Sequence, residues 1–215
     1  SLSYFMYQKP KTAKRLHFEI IPKMVDEYHQ QLRAYSGQDF LGKLNNPVWH
    51  IHGNSVPNSH MAIPFSMLLN LASVSGAEEK GTLWGFIKRY QSEASPETHP
   101  DLDQAVGFAV AFYNDFVKPK KIYREANELE REAIIDLRNK LSDYEGDLDA
   151  ESLQSIVFSC GRERFDPLRK WFQALYEILL GASQGPRFGG FIALYGIEET
   201  IALIDSALDG QFCTN

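Results

Sequence analysis

Cysteine is scarce in this 215-residue sequence, with only Cys160 and Cys213 present. Two cysteines cannot build a disulfide framework, and nothing beside them forms a metal-binding pair, so a reducing cytoplasm is the simplest compartment. No apolar run approaches the roughly 18 residues of a membrane span, and no signal-peptide pattern opens the chain. Catalytic signatures are missing as well: there is no Ser-His-Asp arrangement, no Walker loop and no His-Glu-x-x-His. Positive charge is also in deficit, with 22 Lys and Arg against 28 Asp and Glu and a net charge of −6. At first sight that balance argues against a nucleic-acid partner.

The distribution of charge reverses this impression. Residues 125–151 hold ten acids against Arg131, Arg138 and Lys140. The remainder is therefore close to neutral, with bases gathered at 9–15 ("KPKTAKR"), 118–124 ("KPKKIYR") and 162–170 ("RERFDPLRK"). Such a chain can present phosphate-binding patches on one face, although solvated surface charge explains the same clusters.

Residues 1–60 read as a small α/β or α+β piece. Leu16 to Ile21 is strand-like, Pro22 opens a helix, and "GQDFLGKLNNPVWHIHGNSVPNSHM" alternates between breakers. From Pro64 onward the pattern is helical at almost every step, giving a mainly α protein in which a bundle-like array of six or seven helices follows the N-terminal piece. Ser75 and Glu78 have capping-box spacing, and Asp166-Pro167 reads as an N-cap followed by a first-turn proline. Gly181, Gly196 and Gly210 read as helix stops.

Within "WHIHGNSVPNSH", His50 and His52 share a face if the segment is a strand, with His60 nearby. No acid or cysteine in the stretch completes a metal site, so these histidines read as structural, and no metal site is expected. Bases and aromatics combine in three places. Tyr4, Phe5 and Tyr7 precede Lys9, Lys11, Lys14 and Arg15; Tyr113 and Phe116 precede Lys118, Lys120, Lys121 and Arg124; Arg187 leads Phe188 and Phe191. Splayed bases of a single-stranded loop stack on rings, while Arg and Lys hold the phosphates. For Tyr113, Phe116 and Trp171, which lie on apolar stripes, core packing is the competing reading. The glycine-rich "GASQGPRFGGFIALYG" is not a phosphate loop, because it lacks the Lys-Ser/Thr and the preceding strand.

"KPKTAKRLHFEIIPKMVDEY", "LLNLASVSGAEEKGTLWGFI", "AVAFYNDFVKPKKIYR" and "WFQALYEILLGASQGPRFGGFIALYGIEETIALI" together resemble the C-terminal half of class I lysyl-tRNA synthetases. The final "LYGIEETIALIDSAL" is also similar to the last helices of glutamyl-tRNA synthetases. The resemblance implies a stem-contact region over residues 1–60 and an anticodon-binding α-helical cage over 61–215. Neither His-Ile-Gly-His nor Lys-Met-Ser-Lys-Ser is present, and "HIHG" has the wrong order. The family's Rossmann domain, with its ATP and Mg, is thus expected outside this sequence, which begins Ser-Leu and carries no cofactor and no catalytic residue of its own. The implied partners are lysine tRNA and that catalytic domain, not DNA or a membrane.

A lysine anticodon ends in two uridines. Arg187 can hydrogen-bond their edges, and Phe188, Phe191 or Trp171 can stack them. Lys118, Lys120, Lys121 and Arg124 suit the anticodon-stem phosphates, and Lys9, Lys11, Lys14 and Arg15 the inner bend of the tRNA. The alternative is a helical protein-interaction module without an RNA or catalytic role.

Overall fold

Prolines and short polar side chains start most helices of this chain, and left-handed glycines stop several. The computed structural model describes residues 1–8, 17–53, 55–58 and 61–213. Its α-helices are α1 (Leu2–Tyr7), α2 (Ile21–Gly37), α3 (Phe40–Asn45), α4 (Pro47–His52), α5 (Phe65–Ser75) and α6 (Lys80–Tyr90), then α7 (Pro100–Phe112), α8 (Glu128–Ser142), α9 (Ala150–Gly161), α10 (Arg169–Leu175), α11 (Phe188–Tyr195) and α12 (Ile197–Leu208). Wider π-helical turns extend α7 through Tyr113–Val117 and α10 through Tyr176–Leu180.

The protein is mainly α, as the periodicity predicts, but the strands expected before residue 61 are absent among the described residues. Phe18–Ile20 is a 3-10 turn feeding α2, and Leu16 lies outside the described residues. The apparent alternation after residue 38 comes from two short capped helices. The Asp39 carboxylate accepts the Gly42 amide at 2.7 Å, and the Asn46 side-chain oxygen accepts the Val48 amide at 3.0 Å, with Pro47 in the first turn. His50 and His52 therefore stand on a helix, where a spacing of two puts them on different faces. His50 stacks on Tyr7, and His52 Nε2 pairs with the Tyr28 hydroxyl at 2.9 Å; His60 is not among the described residues.

Two expected caps are also replaced. Ser75 is the last residue of α5 and donates back to the Leu71 carbonyl, while left-handed Gly76 ends the helix. A capping box does form at Asn127 and Glu130, where each side chain accepts the other residue's amide. Asp166-Pro167 is a cis peptide, and α10 begins only at Arg169.

Apolar stripes gather into two cores. Leu68, Leu71, Leu83, Ile87 and Val106 of α5–α7 form one; Ile134, Leu137, Val157, Trp171 and Ile204 of α8–α12 belong to the other. Helix α11 joins them, since Phe191 and Ile192 enter the second core and Leu194 the first. Helices α1–α4 form an N-terminal layer that α2 ties to α5. Pro64 precedes α5 without a capping oxygen, and the Asp26 carboxylate of α2 supplies it, accepting the Phe65 and Ser66 amides at 2.5 and 3.1 Å.

Candidate nucleic-acid interface

Arg187 sits at the N-cap of α11, and its place is fixed by backbone packing beneath it. Gly189 lies so close to α9 that a Cβ would overlap the Ala150 carbonyl and the Gln154 backbone. Its amide donates to the buried Gln154 side-chain oxygen at 2.7 Å, and the Tyr176 hydroxyl donates to the Pro186 carbonyl at 2.9 Å. These bonds hold Arg187 at the surface, where its side chain is 57% exposed. The guanidinium donates a two-pronged fork to the Glu151 carboxylate at 2.7 and 2.6 Å, across from the first turn of α9. Both partners are well exposed, so the pair stabilises the fold by less than about 1 kcal/mol, and a phosphate or base edge can compete for the fork.

The rings expected beside Arg187 are not available to a base. Phe188, Phe191 and Trp171 are all 0% exposed, within the second core. Trp171 donates its indole N–H to the Val157 carbonyl at 2.8 Å, and Phe188 and Phe191 pack against each other and against Tyr176 and Tyr195. Stacking a nucleobase on any of them means opening the core. The spacing of Phe188, Phe191, Ile192 and Tyr195 is that of a buried helical stripe, and this signal was present in the sequence.

The second basic cluster is also partly committed to the fold. Arg124 clamps Glu130 through both terminal nitrogens at 2.7 and 2.8 Å, and donates from Nε to Glu177 at 2.6 Å. These contacts hold the guanidinium charged. They also hold both carboxyls below the usual range, with the Arg124 hydrogen bond the main cause in each. Lys121 points inward, donating to the Ser73 carbonyl at 2.6 Å beneath the rings of Tyr113 and Tyr123. Burial lowers its ammonium to about 8 and raises the Tyr123 phenol to about 12. Neither Lys121 nor Arg124 is the free surface cation the sequence suggested. Lys118 and Lys120 are exposed and pair with Glu78 at 2.7 Å and Glu19 at 3.4 Å. Lys9, Lys11, Lys14 and Arg15 lie outside the described residues.

The third basic run was not assigned to a site from the sequence, yet it supplies cations that stay free. Arg162 and Arg169 are exposed, and neither side chain has an ion-pair or hydrogen-bond partner among the described residues. A cavity of about 590 Å³ between α2 and α7 has a different character, lined by Tyr28, Phe108 and the carboxylates of Asp101 and Asp115. Those acids repel phosphate. No group of three or more His, Cys, Asp or Glu side chains among the described residues is arranged to hold a metal, and no helix there is long and apolar enough to cross a membrane.

Comparison with known proteins gives the fold its context. The family model described as tRNA synthetases class I (K) matches residues 1–55. The lysine–tRNA ligase of Roseobacter denitrificans is 70% identical over 215 residues, covering all of this chain and 41% of that protein. The lysine–tRNA ligases of Rickettsia conorii and Rickettsia felis are each 42% identical over 211 residues, covering 97% of this chain and 40% of their own length. The chain thus spans about two fifths of the length of these relatives. It belongs to the class I lysyl-tRNA synthetase family, as a segment consistent with the C-terminal portion.

Proposed function

We propose that this segment is the tRNA-binding portion of a class I lysine–tRNA ligase, which reads the anticodon of lysine tRNA. It positions that tRNA for ATP-dependent lysylation by a Rossmann domain lying outside the segment. The observation that carries this reading is the 70% identity, over the whole chain, to a protein named lysine–tRNA ligase. In it, residues 1–60 contact the tRNA stem and residues 61–215 form the anticodon cage, and the enzyme works in the cytoplasm.

The geometry supports an assignment by residue. Arg187 is exposed, rigidly placed and held by a carboxylate that an RNA ligand can replace. Lys118 and Lys120 face solvent and suit stem phosphates. Lys9, Lys11, Lys14 and Arg15 belong to the stem-contact end of the same reading. Phe188, Phe191 and Trp171 shape the surface from within instead of touching RNA, and Lys121 and Arg124 are held by Ser73, Glu130 and Glu177 instead of by phosphate.

The test is a titration of the chain with lysine tRNA and with transcripts altered at either anticodon uridine. Binding is expected to be weak, to fall with added salt, and to weaken further when either uridine is changed. Equal binding to any tRNA regardless of anticodon would overturn the recognition half of the proposal.

A further inference from the structure

With the buried rings removed from consideration, a base-stacking surface has to come from elsewhere, and the outer face of α9 has the required chemistry. Glu151, Ser155, Phe158 and Arg162 recur at intervals of four, three and four. At 3.6 residues per turn this is a stripe about 60° wide, and at 1.5 Å per residue it runs roughly 16 Å. Arg187 marks one end through its fork to Glu151, and Arg162 marks the other.

Between them, the Phe158 ring is 41% exposed and braced edge-on by Phe172, with centroids 5.2 Å apart and planes at 75°. An open cavity of about 640 Å³ adjoins it, lined by Ser155, Phe158, Ser159, Arg162, Glu163 and Leu168. A single exposed phenyl is ordinary on a protein surface. Phe158 differs in having an open cavity at its side and an arginine beside it with no partner among the described residues. A phosphate reaching Arg162 displaces no carboxylate, unlike one reaching Lys118, Lys120, Arg124 or Arg187. Arg169, also without a partner among the described residues, adds positive charge at the start of α10.

We infer that the outer face of α9 is a stacking track for a single-stranded RNA loop, in which Phe158 takes the face of a base and Arg162 the adjoining phosphate. Duplex RNA does not fit this arrangement, because its bases are already stacked on one another. The inference rests on the proposed tRNA reading and shifts base contact from the buried rings to α9.

The experiment compares the unaltered chain with Phe158→Ala, Phe158→Trp and Arg162→Gln, titrated with lysine tRNA across a salt series, with helical content checked by circular dichroism. Phe158→Ala should weaken binding about tenfold with helicity unchanged, and Phe158→Trp, which keeps a stacking face, should bind at least as well as the parent. Arg162→Gln should reduce the slope of log affinity against log salt by roughly 0.7, the loss of one single-strand phosphate contact. If the alanine and glutamine variants match the parent while it still discriminates between anticodons, the α9 track is wrong and the tRNA reading stands. Failure of Phe158→Trp to restore what Phe158→Ala loses also overturns stacking. No binding of lysine tRNA by the parent at low salt overturns both. Should Phe158→Ala lose helicity, Arg162→Gln alone decides.

Discussion

The turn at Lys118–Arg124 and the corner where α9 meets α11 both carry arginines and aromatics in the sequence, yet their cations have different fates. In the turn, Lys121 is half-buried against two tyrosines and Arg124 is locked between Glu130 and Glu177. At the corner, Arg187 holds one exposed carboxylate, and Arg162, at the far end of α9, holds none among the described residues. The turn uses two of its cations to join segments, leaving Lys118 and Lys120 exposed: Lys121 reaches Ser73 of α5, and Arg124 ties the start of α8 to the turn after α10. The α9–α11 corner is joined by backbone contact at Gly189, so its cations remain at the surface. Positive charge in a sequence stays available at the surface only where something else has done the structural work.

Five substitutions probe this contrast. The largest effect belongs to Gly189→Ala. Its new methyl meets backbone on α9, which cannot give way like a flexible side chain, so α11 must shift. A loss of about 3 kcal/mol is expected in urea unfolding, with RNA binding reduced because Arg187 moves with α11. A fully stable variant would show that the corner is not held by this contact.

Next is Glu130→Gln, which tests the turn. It removes one carboxylate from Arg124 and weakens the cap of α8. A loss of about 1–2 kcal/mol at neutral pH is expected, discounted for the partial exposure of Arg124. Glu130 and Glu177 are both held below the ordinary glutamate value, so their stabilisation is complete above about pH 5. It is lost as pH falls through the lowered folded values. Glu130→Gln should therefore flatten the acid limb of stability against pH, and an unchanged limb would show that the Arg124 clamp contributes little.

Lys121→Met has a smaller effect at neutral pH and a clear signature in alkali. Folding lowers this lysine to about 8 from an ordinary value near 10.5, so between those values the unfolded chain binds the extra proton. Lys121 thus makes stability rise as pH increases from about 8 to about 10.5, an increment that methionine removes. The variant should keep RNA affinity, since the ammonium is already engaged by the Ser73 carbonyl and two rings. Loss of affinity with intact folding would return Lys121 to the interface.

Much of this fold is legible locally. Pro22, Pro47 and Pro100 lie in first turns, and Gly181, Gly196 and Gly210 all take positive φ at helix ends, because proline and glycine act through their own backbone. The Asn-x-x-Glu spacing of the true capping box at 127–130 was also readable, though Ser75 and Glu78 offered the same spacing as a decoy. Local pattern cannot tell two short capped helices from strands in a stretch broken by Gly, Asn and Pro, hence the strands wrongly expected near His50. The candidate site is less legible than the fold. Whether Arg187 is free depends on Glu151, 36 residues away, and Arg124 is held by Glu177, 53 residues away, as well as by nearby Glu130; no local spacing encodes the two distant pairings.

Glu151→Gln has the smallest effect on the fold and divides the two regions most sharply. In the turn, removing a carboxylate loosens the fold; at the corner it should release a binding group. Glu151 competes with RNA for the Arg187 fork and brings negative charge to the stripe that carries Phe158 and Arg162. Its amide isostere cannot form the charged pair, and the exposed bond it loses costs less than about 1 kcal/mol of stability. Affinity for lysine tRNA should rise a few-fold, while Arg187→Ala should lower it with helical content unchanged. In the double variant, Arg187→Ala should erase the gain, because the gain acts through the freed guanidinium. If Glu151→Gln weakens binding, the carboxylate is orienting Arg187 for RNA instead of competing with it, and the corner would then depend on its internal ion pair much as the turn does.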